Sequence, residues 1–258
     1  MKKYLEDFHR MKLFRLQDAV KIIGNEKSAK DLLRNYKKQQ LICQIRRDLY
    51  TVTDLATKQA LSTKFEIGSN ITPSVCLSYH SALEYHGLAH QQFFVIYVSS
   101  SQKFTPFDFE GIHYHYCNRK SIDEKGIYSP PMDSLVRVTD EERTLIDCID
   151  RIDRTGGLEE LLNAMAAMTY LNENKLLTYL EIYDKQFLYQ KAGFLLSYFQ
   201  RETKVSDNFL EICREKMGKS TRYLDGLNVP TVYHSQWKLF APENIRSYSG
   251  QGQNEFIQ

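Results

Sequence analysis

The sequence lacks the features that define several classes of protein. Its longest strongly apolar run, Phe93 to Val98, has six residues, whereas a helix that crosses a bilayer needs about twenty. The N-terminal segment has no apolar core of the secretory type, so we expect no secretory signal. Five cysteines form no C-x-x-C pair and are odd in number. This favours reduced thiols in a cytoplasmic protein over a disulfide framework.

Catalytic motifs are also missing. The sequence contains no G-x-x-x-x-G-K-[ST] loop, no G-x-G-x-x-G fingerprint, no H-E-x-x-H helix and no G-x-S-x-G elbow. Nothing in it therefore indicates a nucleotide site, a zinc peptidase or a serine hydrolase. Hydrophobic residues make up 42% and charged residues 26%, which is typical of a globular chain of one or two domains. We expect a protein that is not an enzyme and that carries no cofactor or metal.

Charge is distributed unevenly along the chain. Residues 1–58 hold 14 Lys and Arg against 7 Asp and Glu, a net charge of +7. The remainder holds 20 against 25, a net charge of −5, so the whole chain carries +2. A small basic module joined to a larger acidic region indicates an anionic partner for the first. A lysine-rich face that binds only water would give the same totals, so the local pattern has to decide.

The basic N-terminal region shows the apolar spacing of two helices. In the first, apolar residues recur at i, i+3, i+4 and i+7 from Leu16 to Ile23, and Gly24-Asn25 ends the helix. A second helix is predicted to open with Ser28 as its N-cap. Its apolar face is Ala29, Leu32, Leu33 and Tyr36, and the cations that fall broadly opposite are Lys27, Lys30, Arg34 and Lys38.

The next segment predicts a β-hairpin. Residues 41–52 are rich in Ile, Tyr, Thr and Val, with a polar tip near Arg46 to Asp48. Helix, short turn, helix and hairpin together are typical of a winged helix-turn-helix. The predicted fold class is therefore α+β, with a winged helix-turn-helix over residues 1–60. A larger mixed α/β C-terminal domain is predicted over 61–246 and a flexible tail over 247–258.

The chemistry of such a module is DNA binding. Lys and Arg neutralise phosphates and release counterions, and Arg34 and Asn35 are residue types that read base edges with two hydrogen bonds. Ser28 at a helix N-terminus is suited to a phosphate. The alternative is that the same module mediates protein contacts, as an adaptor. The candidate DNA-binding residues are Arg15, Ser28, Lys30, Arg34, Asn35, Lys38, Arg46 and Arg47.

The order of these segments resembles the AbiEi family of antitoxins. The resemblance begins with residues 14–52 and is most distinctive in the stretch V-T-D-E-E-R-T-L-I-D-C at 138–148, which is similar to the family's E-R-T-L-[IL]-D helix start. Further similarity lies at 79–88, at 156–162 and around Trp237. Asp48 stands where the family's wing turn has Gly, and Gln39 or Gln40 where its second helix ends in Gly; Asp tolerates a positive φ better than most residues.

The resemblance implies a function and partners. AbiEi proteins belong to type IV toxin–antitoxin systems, which act in abortive infection and phage defence. The resemblance implies a transcriptional repressor of its own operon that binds inverted repeats in promoter DNA through its winged helix. It also implies that the C-terminal domain carries the antitoxin activity, which opposes a nucleotidyltransferase toxin without a stable direct complex. The expected location is cytoplasmic, with no membrane association.

An enzyme hypothesis remains open beside the DNA-binding one. Asp108 and Glu110, with Lys120 or Lys125 beyond, loosely resemble the carboxylates of a metal-dependent nuclease that a winged helix would deliver to DNA. Carboxylates on a solvated strand edge would give the same pattern.

Two further groups of residues have chemical potential. His113, His115 and Cys117 alternate along one predicted strand, so their side chains share a face. These are zinc-ligand types, although a polar strand face explains them equally well. Arg143 and Asp147 stand one helical turn apart and are predicted to form a structural ion pair rather than a catalytic one.

Overall fold

The protein has a mixed α+β fold that divides into two compact units. The structure is a computed structural model that describes residues 3–119, 124–226 and 230–248. Unit 1 comprises Met1–Cys76, Phe94–Asn118 and Ser129–Arg137, and unit 2 comprises Leu77–Phe93, Arg119–Tyr128 and Val138–Gln258. The expected boundary at residue 60 does not coincide with this division, because unit 1 continues well beyond that point. The winged helix-turn-helix domain expected over residues 1–60 stays a prediction.

Unit 1 begins with three helices and a small antiparallel sheet. Strand β3 lies between the other two strands, in the order β1-β3-β2. The elements are α1 (Leu5–Met11), β1 (Leu13–Phe14), α2 (Leu16–Ile23), α3 (Glu26–Lys38), β2 (Ile42–Arg46) and β3 (Leu49–Val52).

The turns between these elements follow the sequence signals. Helix α2 ends at Gly24, whose φ of 83° gives it the left-handed conformation expected at a helix C-terminus. Asp48, at the turn of the β2–β3 hairpin, has φ 57°, so the predicted positive φ at this position is confirmed. Gln40, two residues past the end of α3, has φ 53° and occupies a position that glycine normally favours.

Aromatic side chains form the core of this part of unit 1. Phe8 of α1 stacks on Phe14 of β1 with ring centroids 4.5 Å apart, and Tyr36 of α3 meets the edge of the Phe8 ring at 6.3 Å. All three are buried. The sequence pattern predicted neither α1 nor β1, because seven residues and two residues are too short to show a clear period.

The rest of unit 1 adds a helix and a second group of strands. Strands β5 and β7 pair in parallel, and β6 pairs antiparallel with β7. Strand β4 ends where the chain passes from unit 1 into unit 2. The elements are α4 (Lys64–Gly68), β4 (Val75–Leu77), β5 (Val95–Ser100), β6 (Phe107–Phe109) and β7 (Ile112–Asn118).

Unit 2 is mainly helical. Its strand β9 pairs in parallel with Leu77 and antiparallel with β8, and β10-β12-β11 form a separate small sheet. The elements are α5 (His80–Tyr85), β8 (Ile127–Tyr128), β9 (Val138–Thr139), α6 (Glu141–Asp150), α7 (Leu158–Ala167), α8 (Glu173–Tyr183), α9 (Gln186–Tyr198), α10 (Gln200–Thr203), α11 (Asp207–Lys216), β10 (Arg222–Tyr223), β11 (Val232–His234) and β12 (Leu239–Ala241).

The apolar stripes of the C-terminal helices form the core of unit 2. Leu145, Ile146 and Ile149 of α6 are fully buried, as are Leu161 and Leu162 of α7. These stripes therefore belong to a hydrophobic core. No helix within the described parts of the chain is both long enough and apolar enough to span a bilayer. Of the predicted tail, residues 249–258 lie outside the described residues.

Candidate nucleic-acid interface

The candidate interface is built on α3, whose start differs from the prediction. Asn25, not Ser28, is the N-cap: its backbone is extended, and its side-chain Oδ1 accepts a hydrogen bond of 2.9 Å from the amide of Ser28. The prediction was wrong by three residues because Asn25 was assigned only to the end of α2. Glu26 therefore opens the helix. Ser28 is the third residue of the helix, and its side chain is exposed.

Helix α3 has two chemically different faces. Of the predicted apolar face, Ala29, Leu33 and Tyr36 are at most 3% exposed, and Leu32 is partly buried against the same core. The phenol of Tyr36 donates a hydrogen bond to the carbonyl of Lys3, and burial raises the pKa of Tyr36. The residues predicted on the outer face, Lys27, Lys30, Arg34, Asn35 and Lys38, are all exposed.

Two of the outer cations carry intrahelical partners. Lys30 Nζ lies 2.5 Å from Glu26 Oε1, and Arg34 Nη1 lies 3.3 Å from Asp31 Oδ1. The Lys30 contact lowers the pKa of Glu26. Exposed pairs of this kind are worth about 0–1 kcal/mol, so a ligand with better geometry can displace them. Asn35 Oδ1 accepts a hydrogen bond from Gln39 Nε2 at 2.9 Å, and the NH2 group of Asn35 takes no part in this bond.

The outer face of α3 and the hairpin form one shallow depression. It is lined by Lys30, Arg34, Lys37 and Lys38 of α3, by Tyr50 of β3 and by the apolar Leu16 and Leu33, and its volume is about 400 Å³. We call it the α3 depression. It places four cations of α3 next to an aromatic side chain of the hairpin.

The two arginines at the hairpin tip have different environments. Arg47 is exposed at the turn. Arg46 is half-buried, with its guanidinium 5.6 Å from the Phe104 ring centroid and 5.1 Å from that of Phe107. Burial and the nearby charge of Arg15 lower the pKa of Arg46. Of the two tip arginines predicted to contact DNA, Arg47 is therefore exposed and Arg46 is half-buried.

Arg15 is engaged inside unit 1. Its guanidinium donates to the backbone carbonyls of Asp48 at 3.1 Å, Asn70 at 2.7 Å and Ile71 at 3.2 Å. Its amide donates to Asp18 Oδ2 at 2.9 Å, which secures the start of α2. These bonds fix the hairpin turn to the segment after α4. They give Arg15 a structural task that the sequence did not suggest.

The carboxylates of the nuclease hypothesis have other partners. Asp108 Oδ1 lies 2.9 Å from His113 Nδ1, and Glu110 Oε1 accepts from the amide of Ala60 at 2.9 Å. Of the two lysines considered with them, Lys120 lies outside the described residues, and the backbone carbonyl of Lys125 accepts from Arg143. Asp108 is thus paired with a histidine, and Glu110 secures a loop.

The His113, His115 and Cys117 face is likewise occupied by ordinary contacts. The ring centroids of His113 and His115 are 6.1 Å apart, and His115 meets the edge of the Tyr97 ring. Cys117 is fully buried. Within the part of the chain that the structure describes, no group of three or more His, Cys, Asp or Glu side chains is arranged to hold a metal ion.

The distinctive motif of α6 forms a buried polar network in unit 2. Arg143 Nε lies 3.4 Å from Asp147 Oδ1, which confirms the predicted ion pair, and both residues are under 5% exposed. Arg143 Nη1 also donates to the Lys125 carbonyl at 3.0 Å, and the Tyr183 hydroxyl donates to Asp147. Burial raises the pKa of Tyr183 well above its usual value. This network is structural, because its charged atoms are directed into the unit.

Comparison with known proteins identifies the fold but no family. No family model matches the chain, and no curated protein matches it. Among solved structures, the chain is similar to the RV2827C protein from Mycobacterium tuberculosis, with a TM-score of 0.65 and 12% sequence identity. The similarity covers 95% of this chain and 90% of that chain. At this identity the similarity speaks for the fold alone.

Proposed function

We propose that this chain binds double-stranded DNA through α3, with the β2–β3 hairpin as the wing of a winged helix-turn-helix. The observation that carries the proposal is the α3 depression, where four cations of one helix face lie beside Tyr50 of the hairpin. An α-helix fits the major groove of B-DNA, and side chains on its outer face reach base edges there.

The outer residues of α3 divide into two roles under this proposal. Arg34 and Asn35 are consecutive exposed residues of α3 and are types that form two hydrogen bonds with guanine and adenine respectively. Lys30 and Lys38 stand a turn away on either side and supply phosphate contacts, which give affinity without sequence preference. Arg47, at the exposed turn of the hairpin, contacts the sugar–phosphate backbone of the DNA.

The biological role follows from the resemblance to AbiEi antitoxins. We propose that the chain represses its own operon by binding inverted repeats in the promoter, and that it opposes a nucleotidyltransferase toxin without a stable direct complex. What supports the repressor role is the basic outer face of α3. What supports the antitoxin role is the similarity of the α6 motif to that of the family. A cytoplasmic location accompanies both roles, since promoter DNA and toxin are found there.

The DNA-binding proposal is tested with the full chain and a duplex from upstream of its own gene, compared with a shuffled duplex. Fluorescence anisotropy at several salt concentrations is expected to show preference for the upstream duplex. The logarithm of the affinity should fall by about 0.9 per phosphate contact for each unit of log salt. Equal affinity for both duplexes would contradict the repressor role, and no binding at low salt would contradict DNA binding altogether.

The division of roles is tested by two substitutions in the same helix. Arg34→Ala is expected to reduce the preference for the upstream duplex, because it removes a base contact worth about 1–3 kcal/mol of discrimination. Lys38→Ala should weaken both duplexes almost equally and lower the salt slope by about one. Identical changes in the two variants would show that Arg34 does not read bases.

The antitoxin role is tested by expression in cells. A nucleotidyltransferase encoded next to this gene should arrest growth when it is expressed alone, and co-expression of the full chain should restore growth. Affinity purification of the tagged chain should then recover no stoichiometric toxin. Growth that stays arrested despite soluble expression of both proteins would contradict the proposal.

A further inference from the structure

A second basic depression lies along β2, on unit 1. It is lined by Lys37 of α3, by Arg46 and Arg47 of the hairpin and by Lys58 of the following loop, and its volume is about 500 Å³. We call it the β2 depression. Lys37 also lines the α3 depression, so the two basic surfaces meet at this residue.

The cations of the β2 depression differ from those of α3 in their partners. Lys37 Nζ donates to the neutral Gln44 Oε1 at 2.6 Å. Among the described residues, no carboxylate lines the depression or lies within 4 Å of its four cations. Asp54, in the loop that carries Lys58, is near enough for the charge of Lys58 to lower its pKa. The carboxylate that acts electrostatically on Cys43 in the wall is Glu110, whose Oε1 accepts the amide of Ala60. Lys30 and Arg34, by contrast, each have an acidic partner in α3.

Arg46, which lines this depression, also carries an unsatisfied donor. Its Nη1 atom is shielded from solvent and has no hydrogen-bond partner among the described residues. The rings of Phe104 and Phe107 hold the guanidinium in place. A buried donor without a partner costs free energy that an acceptor would recover. An anion in the depression would also offset the desolvation and the repulsion from Arg15 that lower the pKa of Arg46.

The loop that carries Lys58 is folded into a defined shape. Asp54 Oδ1 accepts from the amides of Ala56 at 2.9 Å and Thr57 at 2.7 Å, and the amide of Asp54 donates to the carbonyl of Gln59 at 2.9 Å. The hydrogen bonds that the Asp54 carboxylate accepts, first of all that from the Thr57 amide, lower its pKa, and the charge of Lys58 adds to the effect. Lys58 itself has a left-handed backbone, with φ 61°. The loop therefore positions its lysine rather than leaving it on a disordered segment.

We propose that the β2 depression is a phosphate site that takes a backbone phosphate of the same nucleic acid that α3 contacts. A phosphate offers several acceptor oxygens and a negative charge, which match the Lys and Arg donors that line the depression. Because Lys37 belongs to both depressions, one sugar–phosphate strand can pass from the first to the second. The inference rests on the proposed DNA binding and extends its footprint to Lys58.

The test compares two lysines of similar backbone conformation in the full chain. Lys58→Gln removes one cation from the β2 depression, and Lys204→Gln removes one exposed cation from unit 2, where Lys204 also has a left-handed backbone with φ 60°. Anisotropy with the upstream duplex and the shuffled duplex is recorded over a range of salt concentrations. Lys58→Gln is expected to weaken both duplexes several-fold and to reduce the salt slope by about 0.9, whereas Lys204→Gln should match the wild type.

Failure of this inference is distinguishable from failure of the proposed function. If the wild type binds DNA but Lys58→Gln and Lys204→Gln give the same affinity and slope, the phosphate site is wrong and DNA binding by α3 stands. If the wild type binds neither duplex, both proposals are wrong. Thermal melting of each variant shows that it is folded; should Lys58→Gln not fold, Lys58→Asn removes the same cation with a residue that tolerates the left-handed backbone at this position and must show the same loss.

Discussion

The arginines of α3 and α6 show how differently one side chain is used in the two units. Arg34 of α3 is exposed and paired only with Asp31 in its own helix. Arg143 of α6 is buried, bonded to Asp147 and to a backbone carbonyl, and its guanidinium lies over the rings of Tyr179 and Tyr183. A cation that is already satisfied cannot serve a ligand. The exposed arginine is therefore the candidate for recognition, and the buried one holds its unit together.

The largest effect that we expect is a loss of stability when Arg143 is replaced. Arg143→Met should destabilise the protein by about 3–5 kcal/mol, because it leaves the carboxylate of Asp147 buried without its partner. Urea denaturation followed by circular dichroism measures the change. The double variant Arg143→Met/Asp147→Leu removes both charges and should be more stable than the single variant. If the single variant is as stable as the wild type, the network does not support unit 2.

Two neighbouring residues of α3 are expected to differ strongly in their contributions to stability. Leu33→Ala should cost about 2–5 kcal/mol, since Leu33 is 3% exposed in the core of unit 1. Arg34→Ala should change stability by less than about 0.5 kcal/mol, because it removes only a surface pair. Thermal melting of both variants tests this. Equal destabilisation would mean that the outer face of α3 is packed against something and is not available to DNA.

Acid should affect unit 2 through Glu160 of α7. Burial alone would raise the pKa of Glu160, but the imidazole of His80 at 3.3 Å and the amides of Gln91 and His90 lower it below the usual value. An acid with a lowered folded pKa contributes stability above its unfolded pKa of about 4.3, and this contribution is lost as the pH falls through the folded value.

Glu160→Gln keeps a carbonyl acceptor for the two amides and removes the charge. We expect the variant to be less stable than the wild type at neutral pH and to lose less stability on acidification below about pH 4.5. The midpoints of urea unfolding from pH 3 to pH 7 measure this. If the midpoints of variant and wild type fall in parallel as the pH is lowered, Glu160 does not contribute to the loss of stability in acid.

The smallest effect concerns the intrahelical pair of Lys30 and Glu26. Glu26→Gln should leave the stability close to that of the wild type, because exposed ion pairs contribute little. It should also strengthen DNA binding slightly, because Lys30 no longer shares its charge with a carboxylate and one repulsive charge is gone. Titration of the upstream duplex at low salt measures the gain. Weaker binding would show that Glu26 itself contacts the DNA.

Local patterns in the sequence predicted the elements of the candidate site well. The apolar spacing placed Ala29, Leu33 and Tyr36 in the core and thereby set the outer face of α3, and the hairpin tip fell where residues 46–48 indicated. These features depend on neighbours within one or two turns, which a sequence shows directly. The ion pair of Arg143 and Asp147 was predictable for the same reason.

Contacts between distant segments were not predictable. Arg46 was expected to contact DNA from the hairpin tip, but its guanidinium lies against the rings of Phe104 and Phe107, 58 and 61 residues later in the chain. Arg15 was expected to face DNA, and its guanidinium binds carbonyls at 70 and 71. Lys58 was not considered for the site, because it lies in a loop without periodicity, and only folding brings it beside β2.

The central claim, that the outer face of α3 contacts DNA, is tested most directly by two arginines in matched settings. Arg34 and Arg10 both end an i, i+3 pair, with Asp31 and Asp7 respectively, and their side chains are 70% and 78% exposed. Affinity for the upstream duplex is measured for Arg34→Ala and Arg10→Ala in the same buffer. The account predicts a loss of about 5- to 150-fold for Arg34→Ala and little change for Arg10→Ala; equal losses, or none, would contradict it.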